Sequence, residues 1–467
     1  MQQRKRTLTD PEDKAAAAKM DPVTASPLLA PSAAIAEIDD DFVLEPEKAG
    51  LPTARSWRAC ATLSLSVLLC MSTWLSSSVV LQYLVDAFSV SEGHGSFFTI
   101  AVQLGFVACC LAQAGTQLPD RANCRWLMCL GGLLAVAANL AMLACRAFWQ
   151  ALLARFATGV AMALVYPPAT KVLATWFVAK RGLAMSFLVG AIAPGSGLAN
   201  LVKAMPGSAE LWATRRGFVL LTLATSGATV VGAALPVLFV ADGPFSLPPS
   251  TFKMENLARI AGNEKAVLAI LGYMGHSWEL YGAWSWLPHF LGSEVFEPQA
   301  AALLSFAAIA VGAVSCVALG DCGDRYGRCK MCVACSLVSL ACDASVGAVG
   351  ESAPGWATAV LVVAWGFFLV PDSPQYTTSV TELVEPELVG TALVVNQALG
   401  FVATIPAIFL VNQVAGVGAI GWRFAFASLA PGALLAVAFM ERLDRLAAPK
   451  AAALAPDSDD RRPVAAA

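Results

Sequence analysis

The sequence predicts an all-α membrane protein with twelve transmembrane helices in two six-helix, pseudo-symmetric halves. Three observations predict it. The 467 residues are 57% apolar and 13% charged, about half the charge of an ordinary soluble domain. Twelve apolar runs are long enough to cross a bilayer, which takes roughly 20 helical residues each. Landmarks also recur at nearly half the chain length. Asp324-Arg325 repeats Asp120-Arg121 after 204 residues, and Trp422-Arg423-Phe424 repeats Arg216-Gly217-Phe218 after 207. More loosely, Val389-Gly390-Thr391-Ala392 repeats Arg181-Gly182-Leu183-Ala184 after 208. One such pair arises by chance; three at a shared spacing mark a duplication.

Residues 1–56 are rich in Ala, Pro, Asp and Glu and contain no run able to insert, so they are expected to form a disordered cytoplasmic tail. Arg4, Lys5 and Arg6 open it, but Asp10, Glu12 and Asp13 follow at once, unlike an organellar transit peptide. The N-terminal half, 57–240, holds apolar runs at 58–86, 95–118, 126–146, 148–177, 183–204 and 217–240. A cytoplasmic linker, 241–264, leads to the C-terminal half, 265–441, with runs at 265–291, 300–320, 331–350, 356–381, 388–412 and 419–440. Residues 442–467 form a second cytoplasmic tail. Pro167 and Pro168 in span four, and Pro371 and Pro374 in span ten, remove backbone bonds that lipid cannot replace. Those stretches must face protein or a water-filled cavity.

Short-loop charge sets orientation. Loops after odd-numbered spans carry five basic residues, Arg146, Lys203, Arg215, Arg216 and Arg423. Loops after even-numbered spans carry ten: Arg121, Arg125, Lys180, Arg181, Lys253, Arg259, Lys265, Arg325, Arg328 and Lys330. The even loops and both termini are therefore expected on the cytoplasmic side. The composition names no particular membrane.

With a formal charge of −3 and three histidines, the chain offers no phosphate-neutralising surface, which excludes nucleic acid as a partner. Thirteen cysteines are too scattered for a disulfide scaffold and read as small buried hydrophobes. Cys329, Cys332 and Cys335 recur every third residue, a spacing that also suits zinc, redox chemistry or acylation, but no histidine accompanies them. No cofactor or metal is expected. The chain has no His-Glu-x-x-His helix, nucleophile elbow or phosphate loop, so an enzyme is not expected either. The partners implied are lipid and a small-molecule or ion substrate, handled by a monomer.

The loop after span eight contains Gly320, Asp324, Arg325, Gly327, Arg328 and Lys330. This spacing closely resembles the signature loop of the major facilitator superfamily, which recurs after spans two and eight. The resemblance covers roughly 57–441 and implies that family's fold, with alternating access to a central cavity. It also implies that such loops latch one conformation. Gly327 permits the tight turn, and the arginines can bridge adjacent helices. The first copy keeps Asp120, Arg121 and Arg125, but Gly115 lies one place early, with Asn123 and Cys124 replacing the second Gly-Arg.

Candidate site residues follow from charge inside apolar runs. Arg155 lies in span four with Gly159 one turn on, similar to an Arg and Gly of the family. An arginine there must face the bundle interior or snorkel, so it is a candidate for a substrate anion or an internal carboxylate. In span seven Tyr273, His276 and Glu279 are spaced by threes and share a helix face. Burial disfavours charge on acid and base alike, which equips His276 and Glu279 for proton exchange or for a neutral structural pair. Asp372 sits between Pro371 and Pro374 and either binds or caps a broken helix. Asp343 in span nine is a weaker candidate. Asn396, Gln397 and Asn412 can hydrogen-bond a substrate or a neighbouring helix.

The span-seven stretch, Asp372 to Gln375, and Pro386 to Leu393 resemble a little-characterised branch grouped with nitrate and nitrite carriers. That group's span-two arginine has no counterpart in 95–118, so the cargo is not read as nitrate. The expected function is a secondary active transporter for a small polar or anionic solute, with proton coupling as the chemistry its titratable residues can supply. The alternative is a non-transporting sensor or scaffold on a transporter fold.

Overall fold

The computed structural model describes residues 51–447, except 117, 179, 206–210, 246–253, 386–387 and 419–420. Most of the N-terminal tail, the middle of the linker, Pro386 and the end of the C-terminal tail lie outside the described residues. Those described form helices and no strand. Ten helices are long and apolar enough to cross a membrane: spans two to six and eight to twelve. The other two rods depart from that standard for different reasons. Span one is interrupted after Ala54–Met71 and resumes as Ser76–Val79 and Leu81–Phe88. Span seven, Glu264–Phe290, is continuous, but His276, Glu279 and its tyrosines dilute its apolar content.

Prolines and hydroxyls set the breaks. Span four is Phe148–Ala163 followed by Tyr166–Ala174, which starts with Pro167 and Pro168 in its first turn. Span ten is Gly355–Phe368 followed by Ser373–Leu383, with Pro374 in the first turn. At these positions the missing proline N–H is not needed. Span one breaks without proline. The hydroxyls of Ser72, Thr73, Ser76 and Ser78 each bond to the carbonyl three residues back, at 2.6 to 3.1 Å, and compete with the helix ladder.

Packing repeats between the halves. Span one lies on five and six, as seven lies on eleven and twelve; two packs on four and three on six, as eight packs on ten and nine on twelve. Between the halves, five packs on eight and two on eleven, each pair being the other's image under a twofold exchange. Close approach depends on small residues. A Cβ on Gly159 of span four would strike the Val102 backbone of span two, and one on Gly190 of span five would sit 3.3 Å from Cys316 of span eight. Leucines and valines such as Leu133, Leu223 and Leu434 stay exposed on spans three, six and twelve, where lipid is the solvent.

Candidate functional site

We call the end with loops after odd-numbered spans the odd end, and the opposite one the even end. The seam between the halves is closed by four rings around the span-one break. Trp74 packs at 5.2 Å on Phe106 of span two, 5.5 Å on Phe401 of span eleven and 6.0 Å on Tyr281 of span seven. Phe106 and Phe401 meet at 4.3 Å across the seam. Further toward the odd end, the Asn412 amide donates to the Gly93 carbonyl at 2.9 Å, and Phe97 lies 6.4 Å from Phe409. That side is sealed by contacts between the halves.

Arg155 holds the break that carries Trp74. Its guanidinium donates to the carbonyls of Thr73 (3.0 Å), Trp74 and Phe98 (3.4 Å) and to the Ser76 hydroxyl (3.4 Å). An interrupted membrane helix leaves carbonyls without donors, and a buried guanidinium lacks acceptors; each satisfies the other. The structure thus places Arg155 inside the N half, with its donors engaged by backbone.

On the even side of the rings, polar groups converge. The Tyr273 hydroxyl donates to Gln397 Oε1 at 2.9 Å. The Tyr166 side chain, from span four, is buried close to the same Gln397 and to Tyr273. Tyr166 belongs to the N half and its partners to the C half, so this cluster straddles the seam. Asn396, fully buried beside Gln397, makes no hydrogen bond with either amide atom. Sequence reasoning overlooks Tyr166. The signal was present: Tyr166 precedes Pro167, and Pro374 follows Pro167 by 207 residues, within the 204 to 208 of the other repeats.

Behind Tyr273, within the C half, lie the titratable residues. His276 Nδ1 is 3.1 Å from Asp372 Oδ1, and both side chains are about 2–3% exposed. Asp372 occupies the N-cap position of Ser373–Leu383 but makes no side-chain cap bond; its carboxyl turns to His276 instead. The imidazole also packs on Tyr376 at 5.4 Å and Tyr273 at 6.0 Å. Glu279, one turn on, accepts a hydrogen bond from the Ser339 hydroxyl of span nine. His276 and Glu279 thus share a helix but bond to different neighbours, span ten and span nine.

The loops after spans two and eight tie helices within each half. Arg328 donates through Nε and Nη2 to both carboxyl oxygens of Glu382, at 2.9 and 2.8 Å, and through Nη1 to Gln375 at 2.8 Å, joining span nine to span ten. The sequence does not reveal Glu382 and Gln375 as partners, because they lie 54 and 47 residues away. Arg125 joins span three to the end of span six through the Val240 carbonyl at 2.8 Å and Asp242 at 3.4 Å. Gly327 turns the chain at φ +100°. Gly320 lies against Ser186 of span five, where a Cβ would come within 3.1 Å. Arg121 and Arg325 are exposed; the side chains of Asp120 and Asp324 lie outside the described residues.

No curated protein matches the sequence significantly. Solved transporters share the fold at low identity. A bacterial homolog of the human lysosomal transporter Spinster, inward-facing and unoccupied, aligns with TM-score 0.60 and 15% identity over 84% of this chain and 98% of its own. The human organic anion transporter MFSD10 (TETRAN) aligns at 0.63 and 14%, over 82% of this chain and 99% of its own. A point mutant of the nucleoside transporter NupG aligns at 0.62 and 14%, with the same coverage. Residues 62–408 match the Major Facilitator Superfamily; the chain belongs to that family and is a secondary transporter.

Proposed function

We propose that the chain moves a small polar solute by alternating access, and that protons exchanging at His276 and Asp372 drive it. One observation carries the reading: Tyr273 links the two kinds of chemistry. Its hydroxyl bonds to Gln397 at the seam, while its ring lies 6.0 Å from the imidazole that contacts Asp372. A change of proton number at that pair alters what Tyr273 packs against, and Tyr273 is one of the groups a solute between the halves would meet. Tyr166, Tyr273, Gln397 and Asn396 offer hydroxyl and amide groups. With Arg155 engaged by backbone, they favour a polar solute over an anionic one. The resemblance to the nitrate and nitrite branch rests on sequence stretches alone, and span two carries no arginine between residues 95 and 118, so nitrate is not the proposed cargo.

Even loops on the cytoplasmic side would make this conformation closed to the outside and poised to open inward. The test is uptake into vesicles containing the purified chain. Uptake should rise with an inward proton gradient, and Asp372→Asn should abolish that rise while solute exchange at equal pH continues. Uptake indifferent to the gradient in the unaltered protein would refute proton coupling.

A further inference from the structure

Span nine contributes an acid that this coupling route does not use. Asp343 is 1% exposed, and neither of its carboxyl oxygens has a hydrogen-bond donor. It stands one helical turn on from Ser339, whose hydroxyl bonds to Glu279, so the two buried acids, 1% and 3% exposed, face the same side of span nine. Trp365, buried on span ten close to both acids, leaves its indole N–H without a hydrogen-bond partner. The other titratable groups acting on these acids or their immediate neighbours are His276 on span seven, Cys342 on span nine, and Asp372 and Tyr376 on span ten. Among the described residues, no lysine or arginine acts on either acid.

Two carboxylates facing one another present acceptor to acceptor. Their repulsion grows as water is excluded, and among the described residues only the ionised form of His276, already engaged with Asp372, offsets it. The contact becomes attractive when a single proton lies between them. We propose that Glu279 and Asp343 form an acid pair sharing one proton, a second proton site behind span seven and separate from the His276–Asp372 pair.

The duplicated half shows what the same place looks like without exchangeable chemistry. Asn139 stands 204 residues before Asp343. Its amide donates to the Thr222 carbonyl at 3.2 Å and to the hydroxyls of Thr225 and Ser226 at 3.0 Å, a fixed neutral tie between spans three and six. The stretch of span one that matches Glu279 is unwound and pinned by Arg155, whereas span seven stays helical through it. The N half is thus bonded in place where the C half keeps two acids.

A role for this proton in transport rests on the coupling proposed above; its presence on the pair does not. Infrared spectroscopy of the full chain in lipid nanodiscs near neutral pH tests the pair directly. The expected result is a carbonyl-stretch band of a buried protonated carboxyl, lost or shifted in both Glu279→Gln and Asp343→Asn and retained in Asp372→Asn. Ser339→Ala, which keeps both acids, should shift the band by removing a hydrogen bond and serves if either acid variant fails to fold. Absence of the band in the unaltered protein, or a band unmoved by all three substitutions at residues 279, 339 and 343, would overturn the proposal. Gradient-insensitive uptake alongside the expected band would remove the coupling mechanism and leave the pair standing.

Discussion

At Arg155, a charge buried in a membrane protein is neutralised by geometry instead of by a counter-ion. Its acceptors are carbonyls freed by the interruption of span one, so the residue and the break require each other. Arg155→Ala should lower thermal stability in detergent by several kcal/mol, since each orphaned buried group costs about 1–3 kcal/mol. Arg155→Lys should recover only part of this, because an ammonium cannot reproduce the planar fork. Melting of Arg155→Ala at the unaltered temperature would show that the break holds itself. Cys145, just beyond span three at the odd end, offers a residue-scale pH test. Burial raises its thiol above the ordinary 9.0, and the thiolate is the reactive form. Its labelling rate should therefore keep climbing past the pH at which an exposed thiol levels off.

Among the elements, broken helices and one turn carry most of the design. The proline-marked breaks in spans four and ten were readable from residue order, because a missing N–H is a local fact. The break in span one was not, since serine and threonine are common in membrane helices and interrupt them only where a partner such as Arg155 takes up the freed carbonyls. Gly327, at φ +100° between spans eight and nine, lies where side chains are strained. Gly327→Ala should destabilise the protein by about 1–3 kcal/mol and loosen Arg328 from Glu382, observable as earlier melting and faster proteolysis between spans eight and nine. Trp74→Ala should open the ring closure at the seam, so that a cysteine placed at Ser285, on the odd side of the rings, reacts faster with a thiol reagent supplied from the even side.

For the molecule as a whole, the mirrored packing of the halves makes rocking about the seam the natural large motion, and the odd end is the side held shut in this conformation. Bridging cysteines introduced at Phe97 and Phe409 should stop flux while leaving solute binding from the even side intact; undiminished flux would mean that this end does not open. Sidedness can be read from native thiols. In variants retaining only Cys145 or only Cys322, both half-buried, and expressed in a plasma membrane with even loops inside, an impermeant maleimide applied to cells should label Cys145, whereas Cys322 should need permeabilised membranes; the reverse would invert the orientation.

The twelve rods, their division into two related sets and the family loop follow from residue order alone, because run length, proline position and recurrence at one interval are properties of the chain as written. The partners of the buried polar groups do not. Which way a side chain points across a bundle depends on how helices distant in the chain, here 64 to 231 residues apart, are rotated and stacked. Only that packing turned Arg155 toward the span-one carbonyls, drew Asp372 to His276 instead of to the amides it could have capped, and brought Tyr166 to Gln397. The same packing set Asp343 against Glu279, two acids whose separate positions in spans nine and seven carry no mark of each other.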